Sequence, residues 1–331
     1  MPSRSADDDP RLSELSEGRI LQAILTRTPP ASHTLLGPGD DAAVIAAPSG
    51  SVVATTDTLV HGPDFRLAWS SGHDLGWKAA AVNLADIAAM GARPTALLVA
   101  LAVPRDMRLS FVERLADGVR DACDALAPGC AVVGGDLTTS DVLTIAVTAL
   151  GDLEGRAPVT RSGARPGDVV AIAGEVGHAA RGLAVLFGRF RDGDRPVPVD
   201  PALLAEGEAD AVAAQLRPRP PIGLGAAAAT AGATALMDVS DGLALDAGRL
   251  ADASEVTLEL HGDRLGAAPR RALAGGEDHA LLATFPPDRL APGFREIGIV
   301  RERGSAAVLC DGAPVDVSGW DPYRDWDATA G

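Results

Sequence analysis

"SGHDLGWKAAAVNLADIAAMGA" occupies residues 71–92. Ser71 and Asp74 stand three apart, the spacing of a capping box in which each side chain satisfies an otherwise orphaned backbone N–H. Gly91 is placed to stop what they start, so a helix is expected between them. Inside it Asp86 sits among Val82, Ile87, Ala89 and Met90. An ionised carboxylate on an apolar face costs free energy unless it is paired or metal-bound, which sets Asp86 apart from ordinary turn and cap aspartates such as Asp41 and Asp278.

Working outward from this helix, strand-like and helix-like stretches alternate. Upstream, Leu12, Leu15, Ile20, Ile24 and Leu25 mark an amphipathic segment, "GPGDDAAVI" (37–45) reads locally as a turn, and "SVVATTD" (51–57) reads as a strand. Downstream, "TALLVALAV" (95–103) is a buried strand, and Ser110 with Glu113 is expected to cap a helix running through Leu126. "CAVVGGD" (130–136) and "VLTIAVTAL" (142–150) follow as strands. Gly, Pro and charge concentrate in "GDLEGRAPVTRSGARPGD" (151–168), which sets an expected boundary between domains 1–153 and 154–331. Beyond it come "VVAIAG", a helix near 178–190, a Pro- and charge-rich loop over 191–201, two Ala-rich helices ending near Gly232, and strands "TALMDVS", "VTLEL", "HALLATF" and "AAVLCDG". Both halves read as α/β or α+β.

The totals narrow the chemistry. With 331 residues, 47% hydrophobic, the chain can bury a sizeable core in about two domains. Its net charge of -16 speaks against nucleic acid and for cationic counter-charges. Cys123, Cys130 and Cys310 make neither a disulfide framework nor a zinc site, which suits a reducing cytoplasm. The opening "MPSRSADDDP" lacks the pattern of a signal peptide, and "ALLVALAV" is far short of the ~20 residues that span a bilayer, so no membrane partner is expected. Lys78 is the only lysine and sits mid-helix, which excludes a P-loop; the motifs of protein kinases, zinc proteases and serine hydrolases are missing too.

What remains is a recurring placement of aspartates where apolar segments end: Asp57, Asp136, Asp238 and Asp241, with Asp86 inside the helix beside Asn83 and Asp40 in the "GDD" turn. Hard divalent cations take oxygen ligands, and Mg²⁺ is usually held by a few carboxylates plus substrate phosphates. Taken in order, "GPGDDAAVI", "TTDTLV", "KAAAVNLADIAAMGA", "VVGGDLT", "TRSGARPGD", "MDVSDGLALD" and "GGEDHALL" make the chain resemble the thiamine-monophosphate kinases from about Leu15 to Tyr323. Several of these motifs are shared with the wider superfamily of aminoimidazole-ribonucleotide synthetase.

The resemblance implies a two-domain fold of the aminoimidazole-ribonucleotide synthetase type, with an N-terminal mixed sheet that pairs in a homodimer and a C-terminal α/β domain. It implies ATP-dependent phosphorylation of thiamine monophosphate to thiamine diphosphate, assisted by several Mg²⁺ ions, and leaves a monovalent-cation requirement open. Carried over by position, Asp40, Thr55, Thr56, Asp57, Asp86, Asp136, Asp238 and Asp241 would ligate metal, with Asp57, Asp136 and Asp238 at the chemistry. Phe111, Gly135, Asp136, Arg161 and Ser240 would contact ATP; Asp64, Glu277 and Tyr323 would face the thiamine side. In "HGPDF" Asp64 stands where the family usually has histidine, and His61 is read as an exposed loop residue. Tyr323 reads equally as an aromatic cap on the C-terminal domain.

Related enzymes that use a cysteine near either end lose their chemistry here, since no cysteine precedes Cys123 and the chain ends "DATAG". An aminoimidazole-ribonucleotide synthetase and a non-catalytic Mg²⁺- or nucleotide-binding protein stay open as alternatives.

Overall fold

The computed structural model describes residues 9–36 and 43–317. The N-terminal half contains α1 (Glu17–Leu25), β1 (Thr34–Leu36), β2 (Val44–Ile45), β3 (Val53–Val60), α2 (Gly72–Ala89), β4 (Arg93–Val103), α3 (Leu109–Leu126), β5 (Ala131–Thr139) and β6 (Thr144–Asp152). The C-terminal half contains β7 (Val169–Ala173), α4 (His178–Arg189), β8 (Arg191–Asp192), β9 (Arg195–Pro196), α5 (Glu208–Leu216), α6 (Gly223–Ala231), β10 (Ala235–Val239), α7 (Leu243–Ala253), β11 (Val256–Leu260), α8 (Pro269–Ala274), β12 (Ala280–Phe285), β13 (Arg295–Glu302), β14 (Val308–Cys310) and β15 (Ala313–Pro314). Four strands in the order β3-β6-β4-β5 form the first main sheet, antiparallel except for the β4–β5 pair. Seven strands in the order β10-β12-β7-β13-β11-β14-β15 form the second. Among the described residues, no helix is long and apolar enough to cross a membrane.

α2 forms where the capping box predicts. Ser71 Oγ accepts from Asp74 N at 3.2 Å, and the Asp74 carboxylate accepts from Ser71 N at 2.9 Å. Every residue of α2 except His73 and Asp86 is buried. A helix apolar nearly all round must be covered on every side, and α2 is: the first sheet and α3 pack against it, and so does one face of the second sheet. Strand alternation divides that second sheet between two cores. Ala171, Ala173, Leu281, Ala283 and Phe285 share the cluster around α2, while Val170, Ile172, Ala280 and Leu282 join the cluster around α7.

Some local expectations are corrected. Ser110 and Glu113 do not make a capping box; Asp9, distant in sequence, accepts from Ser110 N at 2.9 Å and Ser110 Oγ at 2.6 Å, while Glu113 pairs with Arg27 at 3.2 Å. The 191–201 segment is not a bare loop: β8 and β9 pair, and Pro201–Leu203 forms a 3-10 turn capped by Asp200. α7, α8 and β13 have no counterpart in the elements expected from sequence.

α2 and α3 approach closely because glycines face the neighbouring backbone. A Cβ at Gly76 would lie 2.0 Å from the Leu115 carbonyl oxygen, and one at Gly118 would lie 2.1 Å from that of His73. Gly76→Ala therefore forces the helices apart and is expected to cost about 1–3 kcal/mol, read as a lowered urea midpoint; a wild-type midpoint would refute this account of the contact.

Candidate active site

A cavity of about 650 Å³ opens between the two halves, lined by the end of β3, α2, α4, α5 and the segments 240–241 and 274–279. Its two polar corners are set by α2, and an apolar wall containing Phe65, Trp69, Leu183 and Phe187 lies with them.

The first corner is acidic. Alternation along β3 turns Thr55 and Asp57 toward α2, where Thr55 Oγ1 donates to Asp86 Oδ2 at 2.8 Å and Asn83 Oδ1 accepts from Asp57 N at 3.0 Å. Asp238, at the end of β10, is buried and contacts His279 Nδ1 at 3.2 Å. Burial, followed by the charges of Asp238 and Asp57, pushes Asp86 up to about 7. Burial also raises Asp57; the charge of Asp238 adds to this and that of His279 opposes it. Burial disfavours a charge on His279, but the hydrogen bond and charge of Asp238 outweigh it and raise its pKa. Beside this group, Arg249 pairs with Asp241 at 2.6 Å and with Asp246 at 2.7 Å. Burial pushes the fully enclosed Asp246 up to about 6.

The second corner centres on Glu277. Lys78 Nζ donates to Glu277 Oε2 at 2.7 Å, and Gln215 Nε2 donates to the same oxygen. Burial would raise the Glu277 carboxyl, but Lys78 overrides it and holds the pKa below its ordinary value. The segment is tightly formed: Glu277 and His279 both have positive φ, at 67° and 53°, and their N–H groups donate to the carbonyls of Ser240 and Val239. Asp278, between them, caps α4 by accepting from His178 N and Ala179 N at 3.1 and 2.7 Å. That is the cap role expected of it.

The expected residues divide by location. Thr55, Asp57, Asp86, Asp238 and Asp241 gather at the acidic corner, and Asp57, Asp64, Ser240, Asp241 and Glu277 line the cavity. Asp64 Oδ2 accepts from Val60 N at 2.7 Å, and burial raises its pKa. Thr56 lies on the opposite face of β3 from Asp57, and its hydroxyl is taken by the Val147 carbonyl at 3.0 Å. Gly135 and Asp136 are on β5, three strands away, with Asp136 on the outer face in register with Ala100. That is roughly 14 Å from β3 within one chain. Arg161 is exposed, and only its carbonyl is engaged, accepting from Ser254 Oγ at 2.6 Å. Phe111 packs on the first core rather than into the cavity. Asp40 and Tyr323 lie outside the described residues. His61 lies just after β3, outside the named strands as expected, but it is half-buried rather than exposed, tilted against Phe65, and its Nε2 has no partner.

Sequence reasoning missed Lys78 as a site residue, together with Gln215, Arg249, Asp246 and His279. A lone lysine in a buried helix was the one available signal, and it served only to exclude a P-loop.

The acidic corner suits a divalent cation of a particular kind. Among the described residues no group of three or more His, Cys, Asp or Glu side chains forms a ready cage. Asp57 and Asp86 repel each other, with Asp86 driven to about 7, and neither is ion-paired among the described residues, whereas Asp238 and Asp241 already engage His279 and Arg249. Both facts fit an oxygen-seeking ion held by a few carboxylates and completed by a ligand's phosphates.

Residues 39–153 match the family model for "AIR synthase related protein, N-terminal domain". A thiamine-monophosphate kinase of Mycobacterium tuberculosis is 39% identical over 98% of this chain and 94% of that protein. Among solved structures, AaThiL complexed with AMPPCP and TMP superposes with a TM-score of 0.71 at 32% identity, covering 94% of this chain and 98% of that one. A thiamine-monophosphate kinase from Stenotrophomonas maltophilia reaches a TM-score of 0.73 at 32% identity, over 93% and 99%.

A pH prediction follows from Asp86. Its folded value near 7 lies above the ordinary 3.8, so the stability it contributes is complete below about 4 and is lost as pH rises through 7. Without divalent cation, Asp86→Asn is expected to unfold at a higher temperature than wild type at pH 8 and to lose less stability between pH 4 and 7. An unchanged pH slope in calorimetric melts would contradict this.

Proposed function

The chain belongs to the thiamine-monophosphate kinase family, and from that premise we propose that the cavity between its halves is where both substrates meet. The reaction is ATP-dependent: an oxygen of the thiamine monophosphate phosphate attacks the γ-phosphorus of ATP, the bond from that phosphorus to the β-phosphate oxygen breaks, and thiamine diphosphate and ADP result. The observation that carries the site assignment is that Asp57, the member of the Asp57–Asp86–Asp238 group that lines the cavity, and Glu277 open into the same space, each tied to a residue of α2.

Two anions must approach each other in this transfer, so positioning and charge neutralisation dominate the barrier. Mg²⁺, when bound, would supply charge neutralisation for the phosphate groups. Asp57, Asp86 and Asp238 would hold it, with Asp40, Thr55 and Asp241 as further anchors; Asp241 would first exchange its Arg249 partner. Asn83 fixes the β3 backbone at Asp57, and His279 orients Asp238. Ser240, on the cavity lining, would meet ATP, and the exposed Arg161 would offer a cation to its phosphates. Phe65, Trp69 and Phe187 offer flat apolar surface to the thiamine rings, Glu277 a carboxylate to their polar edge, and Asp64 a second acid nearby.

Asp136 and Thr56, on the outer face of the first sheet, would reach a site through a second copy, with Gly135 beside Asp136 on the same strand. The outer face of the first sheet supports that reading: Ala54, Thr56, Thr58, Leu98, Ala100, Asp136 and Thr138 form an exposed, largely small-residue surface. Two such faces pairing in a homodimer would bring one subunit's Asp136 toward its partner's phosphates. Cys123, Cys130 and Cys310 are all unpaired, in keeping with work in the reducing cytoplasm.

Asp57→Asn and Asp238→Asn are expected to lower ADP release with thiamine monophosphate, ATP and Mg²⁺ by orders of magnitude while leaving the melting transition cooperative; near-normal rates in both would end the assignment. Turnover of formylglycinamidine ribonucleotide instead would favour the synthetase alternative. For the shared site, mixing separately inactive Asp57→Asn and Asp136→Asn chains after mild dissociation should restore part of the activity, because mixed dimers carry one intact site. Complete inactivity of verified mixed dimers would argue against a site built across subunits.

A further inference from the structure

Glu277 is held by two donors from two other elements. Lys78 comes from α2 with a side chain only 5% exposed, Gln215 comes from α5 and is equally buried, and both reach Oε2. The backbone N–H of Glu277 is tied to Ser240 O at 2.7 Å. Convergence on one oxygen leaves Oε1 for a ligand, on a side chain that keeps 37% of its surface in the cavity. The amide orientation of Gln215 follows from its neighbour: a carboxylate can only accept, so Nε2 faces Glu277. Gln215 Oε1 is then buried without a partner, and an unmatched acceptor of that kind is costly until a donor arrives.

We propose that Lys78 and Gln215 are positioning residues that lock Glu277, so that this wall presents two neighbouring acceptors, Glu277 Oε1 and Gln215 Oε1, to the exocyclic amino group of an aminopyrimidine ring. The inference rests on the cavity being the thiamine monophosphate site and names what its far corner reads. An amino group has two N–H donors for two acceptors, and the aromatic wall supplies a surface for the ring that carries it. A site built to receive a hydrogen bond rejects the analogue that lacks it, because its own polar groups stay unpaired. Lys78 acts through Glu277: it neither touches the ring nor approaches the phosphates.

The test measures binding of thiamine monophosphate, and of its analogue with hydrogen in place of the ring amino group, by calorimetry on the full-length protein. Lys78→Met, Gln215→Leu, Glu277→Gln and the double variant Lys78→Met/Glu277→Gln are compared. Each single change should weaken thiamine monophosphate at least about ten-fold and erase the wild-type preference over the analogue, with affinity for an ATP analogue unaltered; the double variant should bind no worse than Glu277→Gln alone. Folded Lys78→Met or Gln215→Leu protein that keeps wild-type affinity and preference overturns the proposal, as does an additive loss in the double variant. Should Lys78→Met fail to fold, Gln215→Leu, on a different helix, decides alone. Because the readout is binding, failed phosphoryl transfer in the wild type would count against the proposed reaction and not against this wall.

Discussion

A charged helix interior is tolerated here only because every polar group on α2 has a partner from another element. Asp74 bonds Ser71 and Arg217, Lys78 bonds Glu277, Asn83 bonds the Asp57 backbone, and Asp86 accepts from Thr55. Trp77 adds a bond from its indole N–H to the Pro218 carbonyl at 2.7 Å. Burial makes each pairing obligatory, since an unpaired charge at these positions would cost several kcal/mol. The helix thus acts as a ruler. Lys78 and Asp86 are eight positions apart, roughly 12 Å at the α-helical rise, and this spacing separates the corner that meets a ring from the corner that meets phosphates.

The same burial joins the halves. α2 belongs to the N-terminal half, yet its cluster includes Ala171, Leu236, Leu281 and Phe285 from the second sheet, and its Asp74 and Lys78 bond to residues beyond 200. Packing that secures the fold and contacts that assemble the cavity are therefore largely the same interactions. The glycines at 72, 76 and 118 contribute by letting α3 approach, which leaves the opposite side of α2 for β3 and the second sheet.

Much of this was legible in the sequence where the signal is local. The capping box at Ser71 and Asp74, the strands that carry Asp57 and Asp238, and the oddity of Asp86 all follow from spacing and alternation, although β3 continues past Asp57 to Val60. Three kinds of feature were not legible. The cap of α3 comes from Asp9, a hundred residues away, so no local pattern encodes it. Gln215 and Lys78 become site residues only when α5 is laid beside α2, and nothing in "AVAAQL" distinguishes a core glutamine from a surface one. The outer-face position of Asp136 depends on counting strand register through a bulge between Leu97 and Leu98, which a list of motifs does not contain.

Glu277 and His279 carry side chains on left-handed backbone, where a Cβ crowds the neighbouring carbonyl. Glycine would relax either position by about 1 kcal/mol. Selection for heat resistance and selection for substrate discrimination thus pull in opposite directions at these two codons: the loop can be made calmer, or it can keep the carboxylate and imidazole that give it a purpose.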